Sequence, residues 1–264
     1  MPKAEETVQR SHSDPAPENF KGVELIEVCK GYRSGGRMVE AVRGVNLSIH
    51  SPGLYAVMGP SGSGKSSLLH LMGGLDRPDS GTIEISGRRI DSLDEKELTR
   101  YRRKDIGIIF QQFNLLPTMT AIQNVTLPGI LDGMAEKDSY DRGMQLLDEL
   151  GVSERATHRP DALSGGEQQR VAIARSLLFE PAVVFADEPT GSLDSASGDL
   201  LWAVLDELAY KREVLILMVT HEPSAAVRCG EVFVLRDGRI AGSFDVDGMD
   251  ESELAHRATR VGRP

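Results

Sequence analysis

A glycine-rich segment between an apolar run and a helical pattern constrains the fold of this chain more than any other feature. The segment fits the pattern G-x-x-x-x-G-K-[ST] and reads Gly59, Pro60, Ser61, Gly62, Ser63, Gly64, Lys65, Ser66. Residues 54–58 before it predict a buried strand, and residues 65–71 after it predict a helix. Glycines let backbone N–H groups turn onto phosphate oxygens, and the helix N-terminus adds partial positive charge. The segment therefore predicts a nucleotide-phosphate loop, with Lys65 on the β- and γ-phosphates and the Ser66 hydroxyl on Mg²⁺.

The composition bounds the classes of partner. The chain has 264 residues, of which 40% are hydrophobic and 27% charged, so it is globular and long enough for one large or two small domains. Its formal net charge of -10 argues against nucleic acid as the main ligand, although it leaves room for a local phosphate site. We interpret the basic cluster Arg100, Arg102, Arg103 and Lys104 as a solvated helix end.

Several site and targeting classes are excluded. Cys29 and Cys229 have no CxxC spacing, which excludes a zinc knuckle and a disulfide framework and suits a reducing compartment. The longest apolar stretch, residues 214–219, is far shorter than the roughly 20 residues of a membrane helix. Residues 1–20 contain prolines and charges of both signs, so we expect a disordered leader rather than a signal peptide. We expect a soluble, cytoplasmic protein.

The remaining pattern predicts an α/β fold with a mainly parallel sheet, because buried strands alternate with helices. The predicted strands are residues 23–28, 39–42, 47–49, 82–85, 106–110, 182–186 and 214–219, with a hairpin over 232–244. The predicted helices lie at about 94–104, 167–179 and 197–208. Gly, Pro and Met interrupt helical pieces over about 114–165, which predicts an inserted helical subdomain whose clearest helix is about 140–150. Residues 246–264 are expected to form a short, weakly ordered tail.

Two acidic residues and a histidine follow predicted buried strands. Asp187 and Glu188 end one strand, and the carboxyl ends of strands face the crevice where α/β sheets bind ligands. Asp187 is the natural Mg²⁺ partner of Ser66, and Glu188 is placed to orient or deprotonate water at the γ-phosphate. His221 follows another strand at the same edge. A surface cap and a structural histidine are the ordinary alternatives, but both lose weight beside a phosphate loop.

A second glycine pair precedes the helix predicted at 167–179. In the segment 163–170, LSGGEQQR, Ser164 and Glu167 have the spacing of a capping box. A cap needs no pair of glycines, however, and Gly165 and Gly166 expose backbone N–H groups that can receive an anion. The chain therefore carries two candidate phosphate sites, too far apart in sequence and role to share one nucleotide simply.

These motifs, in this order, resemble the ATP-binding subunit of ABC transporters over about residues 23–244. The resemblance implies an ABC ATPase domain over 21–245: a P-loop NTPase fold with a mainly parallel sheet, an N-terminal antiparallel β subdomain and the helical insertion. It implies ATP and Mg²⁺ as cofactors and a homodimer that closes around two ATP molecules. It also implies a separate integral-membrane permease, which would hold the subunit at the inner face of the cell membrane.

The resemblance also implies roles for individual residues. Lys65, Glu188 as catalytic base and His221 as switch histidine would be catalytic. The implied ATP-binding residues are Tyr32, which would stack on adenine, together with Gly59, Pro60, Ser61, Gly62, Ser63, Gly64, Lys65, Ser66, Ser67 and Gln111. The implied signature residues, on the ATP of the partner protomer, are Ser164, Gly165, Gly166 and Glu167. Ser66, Gln111 and Asp187 would hold Mg²⁺, Asp194 would lie in the D-loop, and Gln112 is an alternative to Gln111.

Within the family, three segments resemble the branch of lipoprotein release, macrolide export, peptide-antibiotic detoxification and cell division. They are 75–78 (LDRP), 114–125 and 188–191 (EPTG). Ser67, Ser192 and the segment 51–55 depart from that branch, but none of them removes a catalytic group. Two alternatives remain open: a non-transport ATPase of DNA-repair or ribosome type, and a regulatory ATPase of cell-division type. The first is disfavoured because this chain has one cassette and no heptad run between Lys65 and Ser164.

Overall fold

The computed structural model describes residues 20–191 and 193–262, so the predicted leader, apart from Phe20, lies outside it, as does Ser192. The strands of the described chain are β1 (Val23–Ser34), β2 (Arg37–Ile49), β3 (Gly53–Met58), β4 (Ser80–Ile85), β5 (Arg88–Arg89), β6 (Ile106–Ile109), β7 (Val183–Asp187), β8 (Leu215–Thr220), β9 (Glu231–Arg236) and β10 (Arg239–Asp245). The α-helices are α1 (Lys65–Met72), α2 (Glu95–Arg100), α3 (Ala121–Asp132), α4 (Glu136–Glu149), α5 (Gly165–Ser176), α6 (Ser195–Asp206), α7 (Pro223–Ala226) and α8 (Glu251–Arg260). Short π-helical turns, Tyr101–Asp105 and Glu207–Lys211, extend α2 and α6.

The strands form two sheets. The larger sheet has the order β10-β9-β3-β8-β7-β6, and all its pairs are parallel except β10 with β9. The smaller sheet has the order β2-β1-β4-β5 and is antiparallel throughout. This arrangement confirms the predicted α/β fold with a mainly parallel sheet and an N-terminal antiparallel subdomain.

The parallel sheet is buried on both faces. Every residue of β3 and β8 is buried, as expected for continuous apolar strands covered by helices. One hydrophobic cluster holds Leu54, Val184 and Ile216 with α5 and α6, and the other holds Val57, Phe185 and Leu217 with α1 and the antiparallel sheet. The sheet is thus a rigid frame whose carboxyl ends form one edge.

Helix starts follow local sequence signals. Capping boxes begin α2, α3, α5 and α8, with the pairs Asp94–Glu97, Thr120–Gln123, Ser164–Glu167 and Asp250–Glu253. In contrast, α1 begins after Gly64, which has no side chain with which to cap it. The longest helix, α4, also begins without a side-chain cap, at Ala135.

Several predicted boundaries were wrong. The two strands predicted at 39–42 and 47–49 are one strand, β2, which continues through Arg43 and Gly44, where the apolar pattern is interrupted. Strand β5 has only two residues and was not predicted. Helices α3 and α4 lie within the predicted helical insertion, and α4 begins at Glu136 rather than at 140.

The predicted weakly ordered tail contains the helix α8. Leu254 and Ala258 are buried one turn apart, and the Arg236 guanidinium donates to the carbonyls of Ala258 at 2.7 Å and Thr259 at 2.6 Å. The prediction failed because only two residues of α8, Leu254 and Ala258, form its apolar stripe, which is too short a pattern to indicate a helix. No helix in the described ranges combines the length and the apolar character needed to cross a membrane.

Candidate active site

The glycine-rich loop connects the end of β3 to the start of α1, as predicted. Gly64 has φ of +105°, in the left-handed region that favours glycine, and a Cβ there would collide with the Ala41 carbonyl oxygen of β2. A Cβ on Gly59 would collide with the Leu235 carbonyl oxygen of β9. The loop is therefore packed tightly against β2 and β9 at Gly64 and Gly59, where only glycine fits.

Lys65 lies inside the curve of this loop. Its Nζ donates to the carbonyl oxygens of Gly59 at 2.8 Å and Pro60 at 3.1 Å, and the residue is only 8% exposed. Burial lowers the pKa of Lys65, while the nearby carboxylates of Glu188 and Asp187 oppose that shift. A concentrated positive charge is thus held where the loop would receive phosphate oxygens.

The carboxyl ends of three strands meet beside the loop. Met58 of β3 pairs with Thr220 of β8, and Asp187 of β7 pairs with Val219. Asp187 is half-buried, and its pKa is raised by burial and by the neighbouring Glu188 carboxylate. The strand register therefore brings Asp187, Glu188 and His221 to one edge of the sheet, as the sequence predicted.

Glu188 contacts side chains that follow both neighbouring strands of this edge. Its backbone has φ of +42°, uncommon for a residue with a side chain, and its N–H donates to the Val219 carbonyl at 3.0 Å. Its Oε1 lies 2.5 Å from Nδ1 of His221, and its Oε2 accepts from Nε2 of Gln111 at 3.3 Å. The structure thus brings three predicted residues together and gives Gln111, not Gln112, the contact with the acidic pair.

An open cavity of about 460 Å³ lies at this edge. It is lined by Ala41, Ser61, Gly62, Gly64, Lys65, Ser66, Ser67, Glu188 and His221. All of these except Ala41 were predicted as site residues. Ala41 was missed because its role depends on β2 crossing the phosphate loop, which no local pattern reveals.

Tyr32 lies on β1 at the side of this cavity. It pairs across the strands with Val39 of β2, and its hydroxyl donates to Oδ2 of Asp76 at 2.9 Å. Burial raises the pKa of Tyr32, and the Ser67 hydroxyl beside it partly offsets that rise. Through Ser67 the ring is next to the first turn of α1, although it does not line the phosphate cavity itself.

The signature segment stands apart from this cavity. Ser164 Oγ accepts from the Glu167 N–H at 3.2 Å, and Glu167 Oε2 accepts from the Ser164 N–H at 2.7 Å, so the capping box is present. Arg155 binds the other Glu167 oxygen at 2.8 Å. The backbone hydrogen bond from Ser164 lowers the pKa of Glu167, and the Arg155 guanidinium adds to that shift. None of residues 164–167 lines the cavity at the phosphate loop of its own chain.

Helix α5 also contacts the start of α6. A Cβ on Gly166 would collide with Oγ of Ser197 and lie 2.7 Å from its Cβ. Asp194 caps α6, because its carboxylate oxygens accept from the N–H and the hydroxyl of Ser197, each at 3.0 Å. Gly166 therefore has a packing role, which brings the signature next to the start of α6 that Asp194 caps.

Two residues that sequence reasoning missed join α5 to the active-site edge. The buried Gln169 donates to the Pro189 carbonyl at 2.9 Å, one residue after Glu188. Arg175 donates to the carbonyls of Phe113 at 2.9 Å and Asn114 at 2.6 Å, just beyond Gln111. A glutamine on the apolar side of a helix was the available signal for Gln169, whereas Arg175 had none.

A scan against protein-family models matches residues 42–191 to the ABC transporter family. The chain belongs to this family. It is 44% identical over 224 residues to the lipoprotein-releasing system ATP-binding protein LolD 1 of Rhodopirellula baltica, a match that spans 84% of this chain and 98% of that protein. It is 45% identical to the macrolide export ATP-binding/permease protein MacB of Bdellovibrio bacteriovorus over 83% of this chain and 33% of that protein. The chain thus spans about a third of MacB.

A solved structure agrees with these relatives. The dimeric post-hydrolysis state of the ATP-binding cassette MJ0796, bound to ADP and Pi, superposes with a TM-score of 0.79 at 38% identity and covers 86% of this chain and 100% of that chain. The resemblance to the lipoprotein-release and macrolide-export branch is confirmed, as is the ABC ATPase fold. The chain is an ATP-binding ABC ATPase, and the transport-system relatives favour this main interpretation over a non-transport or regulatory one.

Proposed function

We propose that this chain is the ATP-hydrolysing subunit of a transporter in which two copies close around two ATP molecules and drive a separate integral-membrane permease. One observation carries the proposal: Glu188 joins Gln111 and His221 at the mouth of the Lys65 loop, whereas residues 164–166 lie outside that cavity. One chain thus holds a hydrolytic site without its second anion-binding segment. A second copy can supply that segment.

Within the site, each side chain has a separate task. Lys65 binds the β- and γ-phosphates, and its contacts with the Gly59 and Pro60 carbonyls hold it there before ATP arrives. Glu188 accepts the proton of the attacking water, and His221 orients the Glu188 carboxylate and the γ-phosphate. The left-handed backbone at Glu188 fixes the direction of this side chain, because the hydrogen bond to Val219 holds the turn in place.

The donor set of this edge fits Mg²⁺. No group of three or more His, Cys, Asp and Glu side chains in the described chain could hold a metal by itself. Mg²⁺ prefers octahedral oxygen ligands and is usually bound by one or two carboxylates together with substrate phosphates. Ser66, Asp187 and Gln111 are the residues that would hold it, and when bound it would neutralise charge on the phosphate oxygens.

Two-fold symmetry completes the site. A two-fold axis makes the interface self-complementary, so each phosphate loop faces the other protomer's residues 164–167. The N-terminus of α5 then offers backbone N–H groups to the γ-phosphate, which ADP lacks. Closure with ATP and opening after hydrolysis follow from this difference in binding. The dimeric MJ0796 cassette supports the arrangement.

A groove beside the Gln111 segment is the proposed contact with the permease. It is lined by Leu75, Arg102, Arg103, Ile106, Ile108, Phe110, Asn114, Pro128, Arg175 and Ser176. Leu75 in the lining is 43% exposed, and Leu131, whose carbonyl accepts from the Arg103 guanidinium, is 63% exposed, so large apolar side chains are available to a partner here. A permease bound here would hold the subunit at the inner face of the membrane and would be moved by Gln111 and by residues 114–120.

The replacement Glu188→Gln tests the hydrolytic and dimeric parts together. The amide keeps the shape of the carboxylate but cannot accept a proton, so the variant should bind ATP, hydrolyse it very slowly and accumulate as a dimer. Size-exclusion chromatography with light scattering, with ATP, with ADP and without nucleotide, measures this. Glu136→Gln, at an exposed position of α4, is the matched control and should turn over like the parent. A Glu188→Gln protein that stays monomeric with ATP contradicts the proposal.

The permease contact has its own test. Tagged Glu188→Gln protein, co-expressed with a candidate permease and extracted in detergent, should retain that permease on the affinity resin. Adding Leu131→Arg to the Glu188→Gln protein, at a 63% exposed position near the groove, should abolish this retention. The double variant should still dimerise with ATP. Equal retention by both proteins would place the permease contact elsewhere.

A further inference from the structure

The end of β1 is fastened to the loop that follows α1. The Lys30 ammonium binds Oδ1 of Asp76 at 2.9 Å and the Arg77 carbonyl at 2.7 Å, and the Gly31 N–H donates to Oδ2 of Asp79 at 2.7 Å. The Tyr32 hydroxyl donates to Oδ2 of Asp76 at 2.9 Å. Three successive residues of one strand therefore make side-chain or backbone contacts with a single four-residue loop.

Asp76 is the centre of this fastening. Its Oδ2 accepts a hydrogen bond from the Tyr32 hydroxyl. Its Oδ1 accepts from the Lys30 ammonium and from the Arg77 N–H, the last at 2.7 Å. Lys30, whose side chain is only 13% exposed, also lies 5.4 Å from the centre of the Tyr32 ring. The Asp76 carboxylate thus binds the Lys30 ammonium through one oxygen and the Tyr32 hydroxyl through the other.

Besides Asp76, two residues contact the Tyr32 side chain: Ser67 at its hydroxyl and Lys30 at its ring. The pairing of β1 with β2 shifts register between Val28 and Lys30 and again between Lys30 and Gly31, so the strand is irregular just before Tyr32. The ring is 36% exposed, and its cross-strand neighbour Val39 is 51% exposed. The hydroxyl contact with Asp76 therefore helps to select one of the staggered orientations open to this partly exposed side chain.

We propose that Asp76, held in place by Lys30, is a positioning residue that holds the Tyr32 side chain in one rotamer, so that its ring is in place for the base of ATP. The inference rests on the proposed role of Tyr32 as the surface on which the base stacks. Stacking on an aromatic ring needs one ring orientation, and a ring already held in that orientation pays less ordering entropy when the nucleotide binds. Asp76 thereby contributes to base affinity without touching the nucleotide.

The charge of Asp76 persists at neutral pH. Burial opposes its ionisation, but hydrogen bonds from Lys30, from the Arg77 N–H and from Tyr32 outweigh that effect and lower its pKa below the usual value. The Tyr32 hydroxyl therefore meets a charged acceptor, and hydrogen bonds to charged acceptors are stronger than neutral ones.

The test compares a nucleotide with a ligand that has no base. Tyr32→Phe keeps the stacking face and loses only the hydroxyl, and Asp76→Ala removes its acceptor. Each should weaken Mg·ATP binding and raise KM by about three- to tenfold, the range for one lost hydrogen bond, while kcat stays within about twofold. Binding of Mg·tripolyphosphate, which occupies only the phosphate loop, should be unchanged.

Further variants separate positioning from general damage. The double variant Tyr32→Phe/Asp76→Ala should bind Mg·ATP no more weakly than the weaker of the two single variants, because both changes remove the same contact. Asp76→Asn keeps an acceptor and should retain more ATP affinity than Asp76→Ala. Tyr140→Phe, at a 50% exposed position of α4, is the matched control and should behave like the parent.

Two results overturn the positioning role. One is parent-like ATP affinity in Asp76→Ala and in Tyr32→Phe when Tyr32→Ala is weakened. The other is an equal loss of affinity for Mg·ATP and Mg·tripolyphosphate in Asp76→Ala. A third result is distinct from both. If Tyr32→Ala binds ATP as well as the parent does, Tyr32 has no stacking role, and the inference loses its basis.

Discussion

Oε1 of Glu188 lies 2.5 Å from Nδ1 of His221, although the two residues are 33 positions apart and follow different strands. The contact arises because β7 and β8 are parallel neighbours whose carboxyl ends reach the same level, with Asp187 opposite Val219. The other carboxylate oxygen accepts from Gln111, beyond the end of β6, which is the next strand in the sheet. The two strands that flank β7 thus each deliver one polar side chain to the single carboxylate that follows β7.

This geometry predicts different outcomes for two neighbouring glutamines. Gln111→Ala should lower kcat by about tenfold or more, the usual cost of removing a group that orients a catalytic or metal-binding side chain. Gln112→Ala, the matched control, should keep kcat within about twofold, because Gln111 rather than Gln112 makes the contact with Glu188. Steady-state ATPase assays over a range of Mg²⁺ concentrations measure both. A larger loss at Gln112 would reverse the assignment.

The sequence was sufficient to place the loop, the acidic pair and the histidine. The strands β3, β7 and β8 are continuous apolar runs, each followed by a polar motif, so their ends could be located without knowledge of the fold. The choice between Gln111 and Gln112 could not be made in this way. It depends on which side chain faces Glu188 once β6 pairs with β7, and that pairing joins segments far apart in the chain.

The same limit applies to residues that act between elements. Gln169 and Arg175 lie within a predicted helix, but their partners, Pro189, Phe113 and Asn114, are 20 to 62 positions away. Helix α8 was missed for a different reason. Its two buried residues, Leu254 and Ala258, give too weak an apolar stripe, and part of its stability comes from Arg236 on another element.

Lys65→Ala should weaken ATP binding by about tenfold to a hundredfold, because a charge-assisted contact with the phosphates is lost. Titration with a fluorescent ATP analogue gives the affinity directly. ATP should also raise the Tm of the parent more than that of the variant, since ligand binding stabilises the folded state by mass action. Lys137→Ala, at an exposed position of α4, should match the parent in both measurements. Unchanged affinity with unchanged turnover in Lys65→Ala would remove Lys65 from the site.

Gly166→Ala should destabilise the protein or displace the start of α6, because the new methyl group would collide with Ser197. Overpacking of this kind costs about 1–3 kcal/mol. Gly198→Ala is the matched control on α6, since a Cβ there meets nothing within 4 Å and alanine favours a helix by about 0.5–1 kcal/mol. Urea unfolding of both variants measures the difference. Equal stability of the two would show that α5 and α6 separate easily at this point.

Ser164→Arg tests whether the signature acts on the partner's nucleotide. Ser164 is a helix cap in the structure, so Ser164→Ala isolates that role and should cost about 1 kcal/mol of stability. If capping were its only task, Ser164→Ala would hydrolyse ATP normally. Ser164→Arg should abolish hydrolysis while the monomer binds ATP almost as the parent does, because Ser164 does not line the cavity of its own phosphate loop.

Mixing Ser164→Arg with Lys65→Ala, both inactive alone, should restore part of the hydrolysis. A heterodimer has one competent composite site, made from the phosphate loop of the Ser164→Arg protomer and the intact signature of the Lys65→Ala protomer. Activity should rise to a maximum at equal amounts and fall when either variant is in excess, which no contaminating parent protein would imitate. A Ser164→Arg monomer that has lost its ATP affinity would instead place the signature in its own nucleotide site. In that case the mixture would stay inactive, and the shared arrangement of two ATP molecules would be wrong.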